Sequence, residues 1–157
     1  MNTPADADGV VALEFRREFA APVQRVWDAW SRAEAFAEWF RPDEFTLEHC
    51  RLDPRAGGEI RFRHGHPDME PVWVRGVFLA VEAPHRLLIE FGFATPDGDY
   101  ALREGFSERS RIEVRLAPNG TGTVMFVRHT GLTRDQGEGE GWRQTLERLQ
   151  AFLTPQS

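Results

Sequence analysis

The sequence contains no lysine, so all 19 of its basic residues are arginines, and they are outnumbered by 25 acidic residues. Without lysine, neither Schiff-base catalysis nor a Walker-type phosphate site is possible. The net charge of −6 also disfavours nucleic-acid binding, which depends on basic side chains that neutralise phosphates. We therefore expect no nucleic-acid partner.

Cysteine and long apolar runs are equally scarce. Cys50 stands alone, which excludes an internal disulfide and a cysteine-based zinc cage. No stretch approaches the roughly 18 apolar residues that a membrane span needs. The first nine residues lack the basic and apolar regions of a secretory signal. We expect a cytoplasmic protein with no membrane span, in which a disordered tail (1–9) precedes a single domain (10–154).

The hydrophobic pattern begins with a strand and two short helices. Residues 11–19 place apolar side chains at period two, which predicts a strand. Ser31 and Glu34 form an S-x-x-E capping box that predicts the start of a second helix, and Pro42 favours its end. The helix before it carries apolar residues at i, i+3, i+4 and i+7, namely Val23, Val26, Trp27 and Trp30.

Period two returns beyond these helices and predicts strands separated by turn residues. Asn119-Gly120 predicts a tight hairpin turn. A long amphipathic helix then carries Trp142, Leu146 and Leu149 on one face; its start is less defined, because Thr133 with Gln136 makes a second possible capping box. Six strands are predicted, at 45–52, 58–64, 71–82, 85–93, 110–117 and 122–130.

This order predicts an α+β fold in which the long helix covers one face of an antiparallel sheet. The segments "APVQRVWDAWSRAEAFAEWF", "DPRAGGEIRF", "RGVFLAVEAPHRLLIEF", "HTGL" and "GWRQTLERLQAFL" resemble the activator of heat-shock-protein-90 ATPase homologue-like family, within the START-like (SRPBCC, polyketide cyclase-like) superfamily. The resemblance implies a helix-grip fold: a strongly curved sheet of six to seven strands, two short helices after the first strand, and a long C-terminal helix over the concave face. It also implies a deep cavity, which lipid binders and cyclases of the superfamily share.

Three regions offer candidate cavity residues. Trp39 and Phe40 could line the cavity mouth or belong to the packed core. His129 shares a strand face with Met125 and Val127; it could point into the cavity or form a hydrogen bond that orders the strand end. Tyr100, with Glu104, could cap the cavity or lie in a solvated loop. The full predicted set is Trp39, Phe40, Trp73, Phe91, Tyr100, Met125, Val127, His129, Glu138, Trp142 and Leu146.

The remaining motifs give weaker indications of a functional site. His64-x-His66 could hold a metal, but it lacks a third ligand nearby in sequence, and we interpret it as an exposed turn. The segment "GEGEGW" is unsuited to phosphate, because its glutamates repel anions; it predicts a pliable gate before Trp142. Cys50 and His49 alternate across a strand and cannot form a nucleophile pair. No motif implies a catalytic residue, a metal or a cofactor.

The sequence as a whole predicts a binding protein for a small hydrophobic molecule, held between the sheet and the C-terminal helix. An alternative is a cyclase or hydrolase that uses the same cavity. A third is a protein-interaction module that acts on a chaperone or forms a homodimer.

Overall fold

A computed structural model gives the fold and describes residues 11–102, 108–132 and 138–154, without the side chains of Val11 and Glu138. The predicted order of one strand, two short helices, six strands and a final helix is confirmed. The elements are β1 (Val11–Phe19), α1 (Val23–Ser31), α2 (Ala33–Trp39), β2 (Thr46–Leu52), β3 (Glu59–His66), β4 (Met69–Glu82), β5 (Arg86–Ala94), β6 (Ser110–Asn119), β7 (Gly122–Leu132) and α3 (Glu138–Leu153).

The seven strands form one sheet in the order β1-β7-β6-β5-β4-β3-β2. Every neighbouring pair is antiparallel. Strands β2 to β7 follow one another as consecutive hairpins, and β1 adds to the far edge beside β7. This agrees with the predicted helix-grip fold.

Alternation along the strands gives the sheet an inner face that the helices cover and an outer face that they leave bare. The outer face carries ion pairs between neighbouring strands, such as Arg111 with Glu90 and Arg86 with Glu113. The inner face is apolar and fully or nearly fully buried, with contributions from Leu13, Ile60, Phe62, Phe78, Leu87, Ile89, Ile112, Val114, Met125 and Val127.

Helices α1 and α2 pack large aromatic side chains against this inner face. Trp30, Phe36 and Trp39 are all about 1% exposed or less. Both indole N–H groups find partners: Trp39 donates to the carbonyl of Ala29 at 2.8 Å, and Trp30 contacts the sulfur of Met125 at 3.3 Å. The part of the interior around Trp30, Phe36 and Trp39 is therefore filled by side chains that hold one another in place.

Two local predictions need correction. Ser31 does not cap α2: it is the last residue of α1, and its hydroxyl donates to the Trp27 carbonyl at 2.9 Å. The β6–β7 turn lies one residue later than expected, since Asn119 pairs with Gly122 and the turn begins at Gly120, with φ of 63°. Glycine at the first central position suits a type II′ turn.

Helix α3 begins at Glu138, so Gly139 and Gly141 lie inside its first turns, while Gly137 lies outside the described residues. The possible capping box at Thr133 and Gln136 lies outside the described residues, as does Glu104.

Candidate functional site

A cavity of about 600 Å³ lies between the inner face of the sheet, the end of α2 and the first half of α3. This volume falls within the range of small-molecule sites, roughly 300–1,000 Å³. Its walls are mainly aromatic and aliphatic: Phe40, Phe45, Phe62, Phe91, Phe93, Trp142, Val72, Val74, Ile112 and Leu132.

Phe40 is the centre of the aromatic wall. It ends α2, and its ring stacks on Phe36 with centroids 4.3 Å apart. Trp142 and Phe62 meet it edge-on at 5.8 Å and 6.0 Å. Three separate elements thus meet at Phe40, which fixes one end of the cavity through ring packing.

A polar chain of three side chains interrupts this apolar surface. The Trp142 indole Nε1–H donates to Nδ1 of His129 at 2.9 Å, and Nε2 of His129 lies 2.9 Å from Oγ of Ser110. His129 is 8% exposed, and burial lowers its pKa to about 4. The imidazole is therefore neutral at physiological pH.

His64 is the second histidine at the cavity. Its ring stacks on Phe40 and meets Phe62, and its Nε2 lies 3.1 Å from the Phe40 carbonyl. Burial lowers the pKa of His64, and the hydrogen bond to the Phe40 carbonyl offsets part of that effect. His64 is thus held neutral by the same physical cause as His129.

The remaining polar lining comes from the first turns of α3. Glu140 pairs with Arg143 at the exposed edge. The Gln144 side-chain oxygen accepts the backbone N–H of Asp43 at 2.9 Å and ties α3 to the segment after α2. Thr145 is 5% exposed and lines the cavity. Glu140 is the one formally charged residue among those that line the described cavity.

The predicted site residues divide into three groups. Phe40, Phe91, His129 and Trp142 line the cavity. A second group lies behind the cavity wall as fully or nearly fully buried core, contrary to the prediction that it would form the cavity surface: Trp39, Met125, Val127 and Leu146. The side chain of Glu138 lies outside the described part of the chain.

The third group, Trp73 and Tyr100, lies on the outer face, contrary to the prediction. Val72 and Val74 line the cavity, so Trp73 between them points away; its ring stacks on His49 at 5.7 Å. Tyr100 lies over the outer side of Gly92, where a Cβ would come within 2.9 Å of its ring.

Sequence reasoning missed His64, Ser110 and Thr145. The H-x-H motif predicts an exposed turn at His64, but β3 continues to His66, which places His64 on the inner face with Phe62. Ser110 lies two residues before Ile112, and Thr145 three residues after Trp142. Each position shares a face with a residue already recognised as apolar. Periodicity could therefore have identified all three.

No group of three or more His, Cys, Asp or Glu side chains in the described ranges has the geometry to hold a metal ion. Within the same ranges, no helix is long and apolar enough to cross a bilayer.

Comparisons with known proteins agree with this architecture. Protein Ms6760 from Mycobacterium smegmatis superposes with a TM-score of 0.81 at 23% identity, covering 100% of this chain and 98% of that one. A solution structure from Arthrobacter aurescens gives 0.82 at 24% identity, with 97% and 90% covered. The AHSA1 protein from Silicibacter pomeroyi gives 0.74 at 20% identity, with 89% and 95% covered. These likenesses show a shared fold.

A search of curated proteins finds no match. A family model described as "Activator of Hsp90 ATPase homolog 1-like protein" matches residues 20–154, most of the chain. The chain therefore belongs to the activator of Hsp90 ATPase homolog 1-like family.

Proposed function

We propose that this protein binds a small, mostly apolar molecule in the cavity between its sheet and α3. The proposal rests on the contrast between two parts of the protein interior, one filled by side chains and one open. Around Trp30, Phe36 and Trp39 the side chains are fully buried, whereas about 600 Å³ beside them is lined by aromatic and aliphatic groups. Protein interiors are normally close-packed, so an apolar space of this size suits a ligand.

Apolar burial supplies the affinity. A ligand that buries about 250 Å² of apolar surface gains roughly 6 kcal/mol before the costs of ordering and association. Without any such costs, about 6 kcal/mol would correspond to a Kd of tens of micromolar, so a simple hydrocarbon is expected to bind in the millimolar range or more weakly once they are included. Directional contacts are needed for tighter binding.

The Ser110–His129 contact bears on the rival function, a cavity-based hydrolase. A serine nucleophile needs its base to accept the hydroxyl proton. Here the Trp142 indole, which can only donate, occupies Nδ1 of His129. The Nε2 of neutral His129 then carries the proton and points it at Ser110, the reverse of what activation needs. The geometry favours binding over acyl transfer.

The test begins with native mass spectrometry of freshly purified protein, followed by identification of any molecule released on denaturation. We expect a bound molecule with an apolar body. Tryptophan fluorescence then follows titration with 2-nonanone, because Trp142 lies in the cavity wall.

A matched pair of variants locates the site. Val74→Phe replaces an isopropyl group in the cavity wall with a larger aromatic ring and is expected to weaken 2-nonanone binding at least tenfold. Leu79→Phe is the control, since Leu79 lies on the same strand but is 37% exposed. Equal affinity in both variants, or no ligand and no titration response in the parent, would refute the proposal.

A chaperone partner and a homodimer remain predictions from the sequence.

A further inference from the structure

The hydrogen-bond direction in the Trp142–His129–Ser110 chain can be worked out from its members. An indole N–H has no acceptor capacity, so Nδ1 of His129 must present its lone pair to Trp142. A neutral imidazole carries one proton, which is then on Nε2. Nε2–H therefore donates to Oγ of Ser110 at 2.9 Å. The burial that lowers the pKa of His129 to about 4 keeps the doubly protonated form absent at neutral pH.

Ser110 is left with a hydroxyl proton to donate. Its oxygen already accepts from His129, and no acceptor for its own proton is found among the described residues. Ser110 lines the cavity on β6. A cavity wall that is otherwise mainly apolar thus presents a donor whose orientation is fixed by two buried neighbours.

A second hydroxyl lies across the cavity on α3. Thr145 is 5% exposed and lines the cavity, and its hydroxyl has no hydrogen-bond partner within the described ranges. Other polar lining groups are already engaged: His64 with the Phe40 carbonyl and Gln144 with the Asp43 N–H. Ser110 and Thr145 are therefore the hydroxyl donors available to a ligand, whereas the remaining ring nitrogen of neutral His64, whose Nε2–H donates to the Phe40 carbonyl, can only accept.

The charges of the lining decide which ligand these hydroxyls suit. No arginine lines the described cavity, both lining histidines are neutral, and Glu140 is paired with Arg143. A ligand carboxylate would be taken out of water without a cation to pair with it, which costs several kcal/mol. A carbonyl or ether oxygen would instead accept a hydrogen bond from the Ser110 hydroxyl.

We propose that the ligand is an uncharged, mostly apolar molecule with a hydrogen-bond-accepting oxygen, and that Ser110, oriented by His129 and Trp142, donates to this oxygen. This inference rests on the proposed function, because it assigns the chemistry of a ligand in the same cavity. It separates such molecules from fatty acids, which have similar apolar bodies.

The test uses three probes that share one alkyl chain: 2-nonanone, its isostere 2-methyl-1-nonene, and octanoate. In the parent protein at neutral pH, we expect octanoate to bind at least 100-fold more weakly than 2-nonanone. Ser110→Ala should weaken 2-nonanone binding relative to its effect on 2-methyl-1-nonene. This coupling ratio is expected to be roughly 5- to 20-fold, the effect of one buried hydrogen bond whose loss leaves an unpaired group.

Ser31→Ala is the matched control. It makes the same chemical change in a buried serine whose hydroxyl bonds the Trp27 carbonyl, away from the cavity lining, and should leave all three affinities unchanged. Circular dichroism of both variants checks that each is folded.

The outcomes distinguish failure of this inference from failure of the proposed function on which it rests. Equal effects of Ser110→Ala on the ketone and the alkene would overturn the role of Ser110, although the cavity would remain a ligand site. Tighter binding of octanoate than of 2-nonanone would overturn the uncharged ligand class. Failure of all three probes to bind, together with no ligand released from the purified protein, would overturn the proposed function, and this inference with it.

Discussion

The neutral state of His129 predicts how the stability of the protein depends on pH. Burial lowers the pKa of this side chain to about 4 in the folded protein, against about 6.5 in an unfolded chain. Between these values the unfolded state binds the additional proton, so acid favours unfolding. The free energy of unfolding should be unaffected by His129 above pH 7 and fall as pH drops below about 6.5.

The expected magnitude follows from the two pKa values. Between pH 8 and pH 5 the His129 contribution is a loss of about 2 kcal/mol, and it approaches about 3 kcal/mol near pH 4. The lowered pKa of His64 acts in the same direction. Glu18, Glu113 and Glu140 have pKa values below 4.5 because of their arginine neighbours. The stabilisation that these ionised carboxylates contribute is lost only at lower pH. The histidines therefore dominate the pH dependence of the free energy of unfolding above pH 5.

Urea denaturation at pH 8, 7, 6 and 5, followed by circular dichroism, measures this dependence. His129→Asn keeps an oxygen that can accept from Trp142 but has no proton to gain, so its stability should fall about 2 kcal/mol less between pH 8 and pH 5. The control, His49→Asn, changes an exposed ring on the outer face and should follow the parent. Parallel curves for the parent and His129→Asn would refute the assignment of a buried, neutral imidazole.

Three further predictions concern two glycines and a thiol. Gly141→Ala should raise the free energy of unfolding by about 0.5–1 kcal/mol, because alanine favours helix and the added Cβ meets only Pro42 at 3.8 Å. Gly76→Ala should instead lower it by more than about 1 kcal/mol, since its Cβ would lie 2.5 Å from the Glu90 carbonyl oxygen; urea denaturation that ranks the two variants the other way would contradict the packing. Burial, and to a lesser extent the charge of Glu34, raises the pKa of Cys50 to about 12, so a disulfide reagent at pH 8 should label the folded protein about 10³-fold more slowly than the urea-unfolded protein. Equal labelling rates would show that the thiol is accessible and ionisable.

Periodicity predicted the elements and the sheet well because most of the strands alternate between one buried face and one exposed face. His129 illustrates this success: two-residue spacing from Met125 and Val127 placed it on the inner face, where the structure has it. Trp73 illustrates the failure. Strand β4 carries apolar residues on both faces, including the exposed Leu79, so alternation cannot decide which side an isolated tryptophan takes.

The sequence also could not show which inward-facing residues lie at the cavity and which lie in the filled core. Trp39, Met125 and Leu146 have the expected inward orientation, yet they lie in the filled half of the interior rather than at the cavity. Whether an inward side chain meets another side chain or open space depends on how α2 and α3 cross the sheet. That crossing is set by contacts between residues far apart in sequence, such as Phe40 with Trp142.

The polar groups of the site lie where strands β6 and β7 meet α3, and this position determines which hydrogen bonds they make. His129 is near the end of β7, Ser110 begins β6, and Trp142 is in the second turn of α3. The indole of Trp142 both forms part of the cavity wall and fixes the His129 tautomer. Displacement of Trp142 would therefore change the cavity wall and also free His129 to carry its proton on either ring nitrogen. The proposed hydrogen bond from Ser110 to a ligand oxygen thus depends on Trp142 as well as on His129, whereas the binding of a hydrocarbon of equal size would depend only on the shape of the cavity.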